Sequence, residues 1–200
     1  MRGHLLSLLS LTLSSPAAAQ SSVRCDTTAG PFTIKLIDRK LAPIGISRFI
    51  ELVKRGFFTD QILYRVIPGF LVQFGVAADP NVQAKWQDAK LADETNSMPF
   101  KHGTVSFAGN GKNSRSCHLF VALEPNGARL GNALHEATIG HVTEGMETWE
   151  AVAANFKASG YPDTGSLQNA LVQQGNIAAL KYPKLDRITS CALEQEDREL

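Results

Sequence analysis

No stretch of the chain is apolar for long enough to span a bilayer, which takes roughly 20 residues. The longest such run, Leu5 to Leu13, stops well short. Net charge is just as scarce: 20 Lys and Arg against 19 Asp and Glu leave +1. That balance removes the electrostatic reason to expect nucleic acid or an anionic membrane as a partner. Repeats and low-complexity tracts are missing, so neither a solenoid nor a fibrous design is expected. Trp and Tyr are few, and Phe supplies 10 of the aromatics, which suits apolar packing or a greasy pocket. Against these absences stand 200 residues, 44% hydrophobic and 20% charged. That is enough for one ordinary domain and too little for two.

The first residues differ from the rest. Arg2 and His4 precede the apolar run, and Ser14, Ser15 and Pro16 lead into Ala17-Ala18-Ala19. A short basic start, an apolar stretch of this length and a small-residue site describe a cleavable secretory signal over residues 1–19. The alternative is a disordered or organellar N-terminus. Cleavage after Ala19 leaves residues 20–200 as a single exported domain. Export bears on the 3 cysteines, because disulfides persist outside the reducing cytosol. Cys25 lies in the first strand-like segment and Cys191 in the last, so a bridge between them ties the two ends together. Cys117, in an apolar segment, is then a buried free thiol. Sequence alone does not fix this connectivity.

Short β-branched or alternating runs predict strands at Val23–Asp26, Phe32–Ile37, Ile62–Ile67, Leu71–Gly75, Thr104–Ala108, Leu119–Leu123, Thr138–Val142 and Leu185–Cys191. Ile46, Phe49, Ile50 and Val53 recur at helical spacing, with Pro43 in the first turn and Gly56 as the stop. A second helix is expected over Glu144–Phe156 and a third over Ser166–Lys181, weakened by Gly175. Ala77–Lys101 reads as a long polar excursion. Many short strands with two or three helices between them predict a mainly β fold, a closed or nearly closed barrel with helices packed on it.

Tyr64-Arg65-Val66-Ile67-Pro68-Gly69-Phe70-Leu71-Val72-Gln73-Phe74 is the most informative stretch. A two-residue turn at Pro68-Gly69 would set Arg65 opposite Val72 and mix polar with apolar faces. A three-residue turn over Pro68-Gly69-Phe70 pairs Ile67 with Leu71 and Arg65 with Gln73. Tyr64, Val66, Val72 and Phe74 then form a clean core face. Such segregation normally sets register, which favours the second arrangement.

Arg-Val-Ile-Pro-Gly-Phe-Leu-Val-Gln resembles the active-site hairpin of the cyclophilin-type peptidyl-prolyl cis-trans isomerases, R-x-I-x-G-F-x-x-Q. Gly103-Thr104-Val105-Ser106-Phe107-Ala108 and Leu119-Phe120-Val121 look like the family's next two site strands. Ile139-Gly140-His141-Val142 with Glu144-Gly145-Met146 is similar to its F-G-x-V-x-E-G-M segment. Tyr182-Pro183-Lys184-Leu185-Asp186 looks like the tail of a divergent, often exported subgroup. The resemblance implies a closed eight-stranded antiparallel barrel capped by helices, and rotation of X-Pro peptide bonds as the activity. It makes Arg65 the catalytic residue, with Phe70, Leu71, Gln73, Ala108, Gly109, His118, Phe120 and Leu130 binding substrate.

Each assignment has a plainer counterpart. An Arg on a strand is commonly a solvated surface residue, and Phe120 could be ordinary core. A metal site at Cys117 and His118 is disfavoured, because strand neighbours point to opposite faces. His118 stands where the family has Gln and, left unperturbed, would titrate near neutral pH. Leu71 stands where Met is common, a volume-conserving exchange. Gly111-Lys112-Asn113 replaces a G-P-N run, and the family's pocket Trp has no counterpart between Glu124 and Glu136. Leu130 is placed at the Trp position, and His135 or Glu136 at that of the pocket His. The expected partner is a proline-containing segment of a folding exported protein, bound by a monomer without cofactor, metal, nucleic acid or membrane. A module that binds such segments without turning them over stays open as an alternative, as does a barrel with no peptide site.

Overall fold

The computed structural model describes residues 21–94, 98–124, 129–156, 160 and 164–194. Along the chain run the strands β1 (Ser22–Thr27), β2 (Phe32–Leu36), β3 (Gln61–Ile62), β4 (Arg65–Ile67) and β5 (Leu71–Phe74). They are followed by β6 (Thr104–Phe107), β7 (Leu119–Ala122), β8 (Thr138–Glu144) and β9 (Arg187–Glu194). The helices are α1 (Pro43–Lys54), α2 (Pro80–Asp88), α3 (Met146–Asn155) and α4 (Thr164–Gln174). All strands join one antiparallel sheet in the order β3-β9-β1-β2-β8-β6-β7-β5-β4.

The sheet is an open half-barrel of nine strands, not the closed eight-stranded barrel expected from sequence. Its two edge strands, β3 and β4, belong to one chain run that was read as a single strand, Ile62–Ile67. The run breaks at Leu63-Tyr64, where the Leu63 N–H turns to Asp186 O at 2.9 Å. Because β3 and β4 follow one another end to end, they cannot pair side by side, and among the described residues no ladder closes the sheet. The break also shifts the side-chain phase. Leu63 and Val66 enter the main core, whereas Tyr64 joins Ile62, Val76, Leu167 and Leu171 beneath α4. The expectation that Tyr64 shares the face of Val66 and Phe74 is therefore corrected.

Among the described residues there are four α-helices, where two or three were expected. Pro43 opens α1, and bonds from Gly56 N to Val53 O and Phe57 N to Leu52 O close it in a Schellman arrangement. Its buried face is Ile46, Phe49, Leu52 and Val53. The extra helix, α2, lies inside the segment read as irregular. Asp79 caps it through Asn81 N, Pro80 occupies its first turn, and Gln83 and Trp86 are its buried residues. The third predicted helix is α4 followed by a 3₁₀ turn over Gly175–Ala179, the change falling where Gly175 takes φ +63°.

Trp149 of α3 sits at the centre of the main core, with ring centroids 4.7 Å from Phe32 and 5.6 Å from Phe74. Val66, Val72, Val105, Phe107, Leu119 and Val121 line that core from one face of β4–β7. With one face committed to the core, the other face of the same four strands presents the site. Cys25 and Cys191 are opposite one another on β1 and β9 and are joined by a disulfide, and Cys117 is free and buried.

Candidate active site

The hairpin β4–β5 adopts the register that face segregation required. Arg65 is opposite Gln73, Val66 opposite Val72 and Ile67 opposite Leu71. The row continues across β7 and β6, Gln73 to Phe120 to Ser106, with Leu71 beside Ala122 one step along. Arg65 is half-buried and its Nη1 donates to Gln73 Oε1 at 2.9 Å. A guanidinium carries five N–H donors, so this bond positions the group while leaving donors for a ligand.

Beside this pair lies an apolar cluster separate from the main core, made of Leu71, Phe100, Phe120, Ala122 and Leu130, with Phe70 and Ala108 packed against it. Phe120 thus packs in this separate cluster and not with the main core. Phe100 and Phe120 stack with centroids 6.0 Å apart and planes 32° from parallel. Sequence reasoning gathered Phe70, Leu71, Ala108, Phe120 and Leu130 but missed Phe100 and Ala122. Phe100 lies next to the end of the segment read as loop, and the only local signal was an isolated aromatic after Pro99.

Arg129 was missed as well. Its guanidinium lies 4.1 Å from the Phe70 ring centroid, its Nη2 donates to Gly69 O at 3.3 Å, and its Nε to Glu124 Oε2 at 3.1 Å. The buried Glu124 carboxylate also accepts the Leu130 N–H at 3.1 Å. A cation therefore covers Phe70, next to the residue placed at the Trp position. His135 and Glu136, the two residues placed at the pocket His, have different surroundings. Glu136 Oε2 accepts the N–H groups of Gly131, Asn132 and Ala133 at 2.8, 3.2 and 3.3 Å. The His135 ring instead abuts Gly109, where an added Cβ would meet Cδ2 at 2.8 Å.

A cleft of about 340 Å³ runs from Gln73 past Ala108, Gly109 and His118 to Lys90 and Gln168. His118 precedes β7, and its Nδ1 lies 2.9 Å from Tyr64 Oη. Burial, helped by Lys90, pushes its pKa down to about 4, so the expected titration near neutral pH does not occur. Burial likewise raises the Cys117 thiol to about 11, which makes it a poor nucleophile. No group of three or more His, Cys, Asp or Glu side chains placed to hold a metal occurs among the described residues.

An apolar cluster, an arginine held beside it by Gln73 and a cleft that Gln73 also lines thus come together on one face of the sheet. The family model for cyclophilin-type peptidyl-prolyl cis-trans isomerases matches residues 22–179. Peptidyl-prolyl cis-trans isomerase A of Dickeya dadantii is 32% identical over 155 residues, covering 74% of this chain and 80% of that protein. A peptidyl-prolyl cis-trans isomerase of Acinetobacter baylyi is 28% identical over 180 residues, covering 88% and 93%. A cyclophilin-type isomerase of Cryptosporidium parvum shares the fold with a TM-score of 0.60 at 19% identity, covering 88% of this chain and 99% of that one. That protein has also been crystallised in the presence of the dipeptide Ala-Pro. The chain belongs to the cyclophilin-type peptidyl-prolyl cis-trans isomerase family. Its activity is accordingly cis-trans isomerisation of peptidyl-prolyl bonds.

Proposed function

We propose that Arg65 is the catalytic residue of this isomerase and that its substrates are proline-containing segments of exported proteins during folding. The Arg65–Gln73 pair beside the apolar cluster carries this reading. Rotation about an X-Pro amide crosses a barrier of about 18–20 kcal/mol, because the nitrogen lone pair is delocalised into the carbonyl. A catalyst of this step transfers no group, so it needs neither nucleophile nor cofactor. It must bind the twisted amide more tightly than either planar form.

Phe70, Leu71, Phe120 and Leu130, with Phe100 and Ala108, receive the proline ring. An Arg65 N–H donates to the proline nitrogen as that atom loses conjugation and becomes pyramidal. Gln73 holds the guanidinium in place, and Ala108, Gly109 and His118 bind the peptide backbone along the cleft. Export is supported by the signal-like residues 1–19, which lie outside the described residues, and by the Cys25–Cys191 disulfide, a bond that survives in oxidising compartments.

The test is exchange NMR on a short X-Pro peptide with the mature domain and its Arg65→Ala variant. A charged hydrogen bond is worth about 1.5–3 kcal/mol, so the variant should lose at least about 10- to 100-fold in catalysed exchange. Undiminished exchange in the variant would remove Arg65 from the mechanism. Peptide binding without acceleration by the wild type would make the domain a binding module.

A further inference from the structure

Residues 129–133 lie between β7 and β8, outside every strand and helix, yet all five of their backbone N–H groups are satisfied by two carboxylates. Glu124 Oε1 accepts the Arg129 and Leu130 N–H groups at 3.2 and 3.1 Å. Glu136 Oε2 accepts those of Gly131, Asn132 and Ala133 at 2.8, 3.2 and 3.3 Å. Glu124 follows the end of β7 and Glu136 precedes β8, so the two acids grip the connection from its two ends. The second oxygen of Glu124 takes Arg129 Nε at 3.1 Å, which sets that side chain together with its backbone. Ordering a segment that has no ladder costs backbone entropy. Hydrogen bonds to ionised acceptors, stronger than neutral ones, offset that cost here.

What the two acids hold in place is part of the apolar cluster. Three consecutive residues each meet a different portion of it. The Arg129 guanidinium lies 4.1 Å from the Phe70 ring centroid, and its Nη2 donates to Gly69 O at 3.3 Å. Leu130 is buried as a member of the cluster. Gly131 approaches Phe100 so closely that an added Cβ would stand 2.5 Å from the ring, and its φ of +82° independently favours glycine.

We infer that Glu124 and Glu136 are positioning residues of the isomerase, which together preform residues 129–131 as one wall of the proline-ring pocket. The inference rests on the reading of the apolar cluster as that pocket. The wall meets the ring, whereas the bond that rotates is the amide beside it. Its contact is therefore the same for planar and twisted substrate, and such uniform binding is expressed in KM. Arg65, which acts on the twisted amide, is expressed in kcat.

Amide hydrogen exchange of the wild type reads the cradle without any turnover. The N–H groups of residues 129–133 should exchange at least about 10-fold more slowly than in an unstructured peptide; rates equal to those of the peptide overturn the inference. Exchange NMR over a range of X-Pro peptide concentrations then separates KM from kcat. Glu136→Ala should raise KM about 3- to 10-fold, the worth of one hydrogen bond, and change kcat less than about 2-fold. Glu136→Gln, which keeps an acceptor oxygen, should recover most of that rise. Glu124→Gln, which removes the charge facing Arg129, should raise KM in the same sense. A purely structural acid would shift the thermal midpoint and leave KM where it was. An unchanged KM in Glu136→Ala or Glu124→Gln, or a Glu136→Gln protein no better than Glu136→Ala, overturns the inference. Should Glu124→Gln not fold, hydrogen exchange of the wild type and the two Glu136 variants decide. Failure of the isomerase reading appears separately, as a wild type with protected amides at 129–133 that does not accelerate X-Pro exchange.

Discussion

At the scale of single residues, burial decides what the polar groups of the site can do. His118 illustrates the rule. A free imidazole titrates near 6.5, but desolvation, with Lys90 acting in the same direction, lowers this one to about 4. The unfolded chain therefore takes up a proton between those values that the folded chain refuses. Stability rises with pH through that window and is lost on acidification from about 6.5 toward 4. His141, lowered by burial and Lys101, adds in the same sense, so the effect must be isolated by comparison. Between pH 7 and pH 4.5, wild type should lose about 2–3 kcal/mol more unfolding free energy than His118→Gln. Urea denaturation of both proteins at the two pH values measures the difference. An equal loss in both would mean that His118 accepts a proton in the folded state as readily as in the unfolded one.

At the scale of elements, the site depends on loops being tied to helices by buried charge. Glu94 Oε2 and Oε1 accept the Ile44 and Gly45 N–H groups at 2.8 and 2.7 Å, capping α1, whose N-cap residue Ala42 has no side chain for the task. The same carboxylate meets Arg115 Nη1 at 3.0 Å, and the two side chains are 8% and 0% exposed. Arg115 belongs to the connection that carries the chain from Ala108 and Gly109 to His118. Removing one partner of such a pair strands the other charge in the interior, at a cost of about 3–5 kcal/mol. Glu94→Gln should lower the denaturation free energy by that amount; a loss below about 1 kcal/mol would mean that water reaches Arg115.

The same scale separates what could be read in the sequence from what could not. The register of β4 and β5 was legible because apolar residues on one face and Arg65 and Gln73 on the other leave a single consistent pairing. Four of the five expected pocket residues that cluster lie within recognisable strand motifs or beside them, whereas Leu130 stands in the connection between β7 and β8. Helix α2 was not seen, because its buried face is only Gln83 and Trp86, too sparse for a periodic stripe, although Asp79-Pro80 marks its start. Phe100 and Arg129 reach the site from connections whose course is set by distant contacts, which local pattern does not encode. Closure of the sheet failed as an expectation for a related reason. The break at Leu63-Tyr64 is imposed by pairing of β3 with β9, residues far away in the chain.

At the scale of the whole molecule, the first and last strands of the described chain are neighbours, and the covalent bond between them acts on the unfolded ensemble more than on the site. Cys25 and Cys191 are 166 positions apart and opposite one another on β1 and β9. Joining them denies the unfolded chain most of its end-to-end freedom, worth up to about 5 kcal/mol in the chain-entropy account for a loop of this length. The site lies on β4–β7, away from that pair in the strand order, so its geometry does not lean on the bridge. Replacing both cysteines by alanine should therefore lower the thermal midpoint by several degrees or more while leaving X-Pro exchange at low temperature close to wild type. Protein recovered after export should begin at Gln20 and weigh a hydrogen pair less than its reduced form. A double variant with unchanged thermal stability would show that the strands hold the ends together unaided. A recovered protein that keeps residues 1–19 and free thiols would place its clients in a reducing compartment and withdraw the export reading.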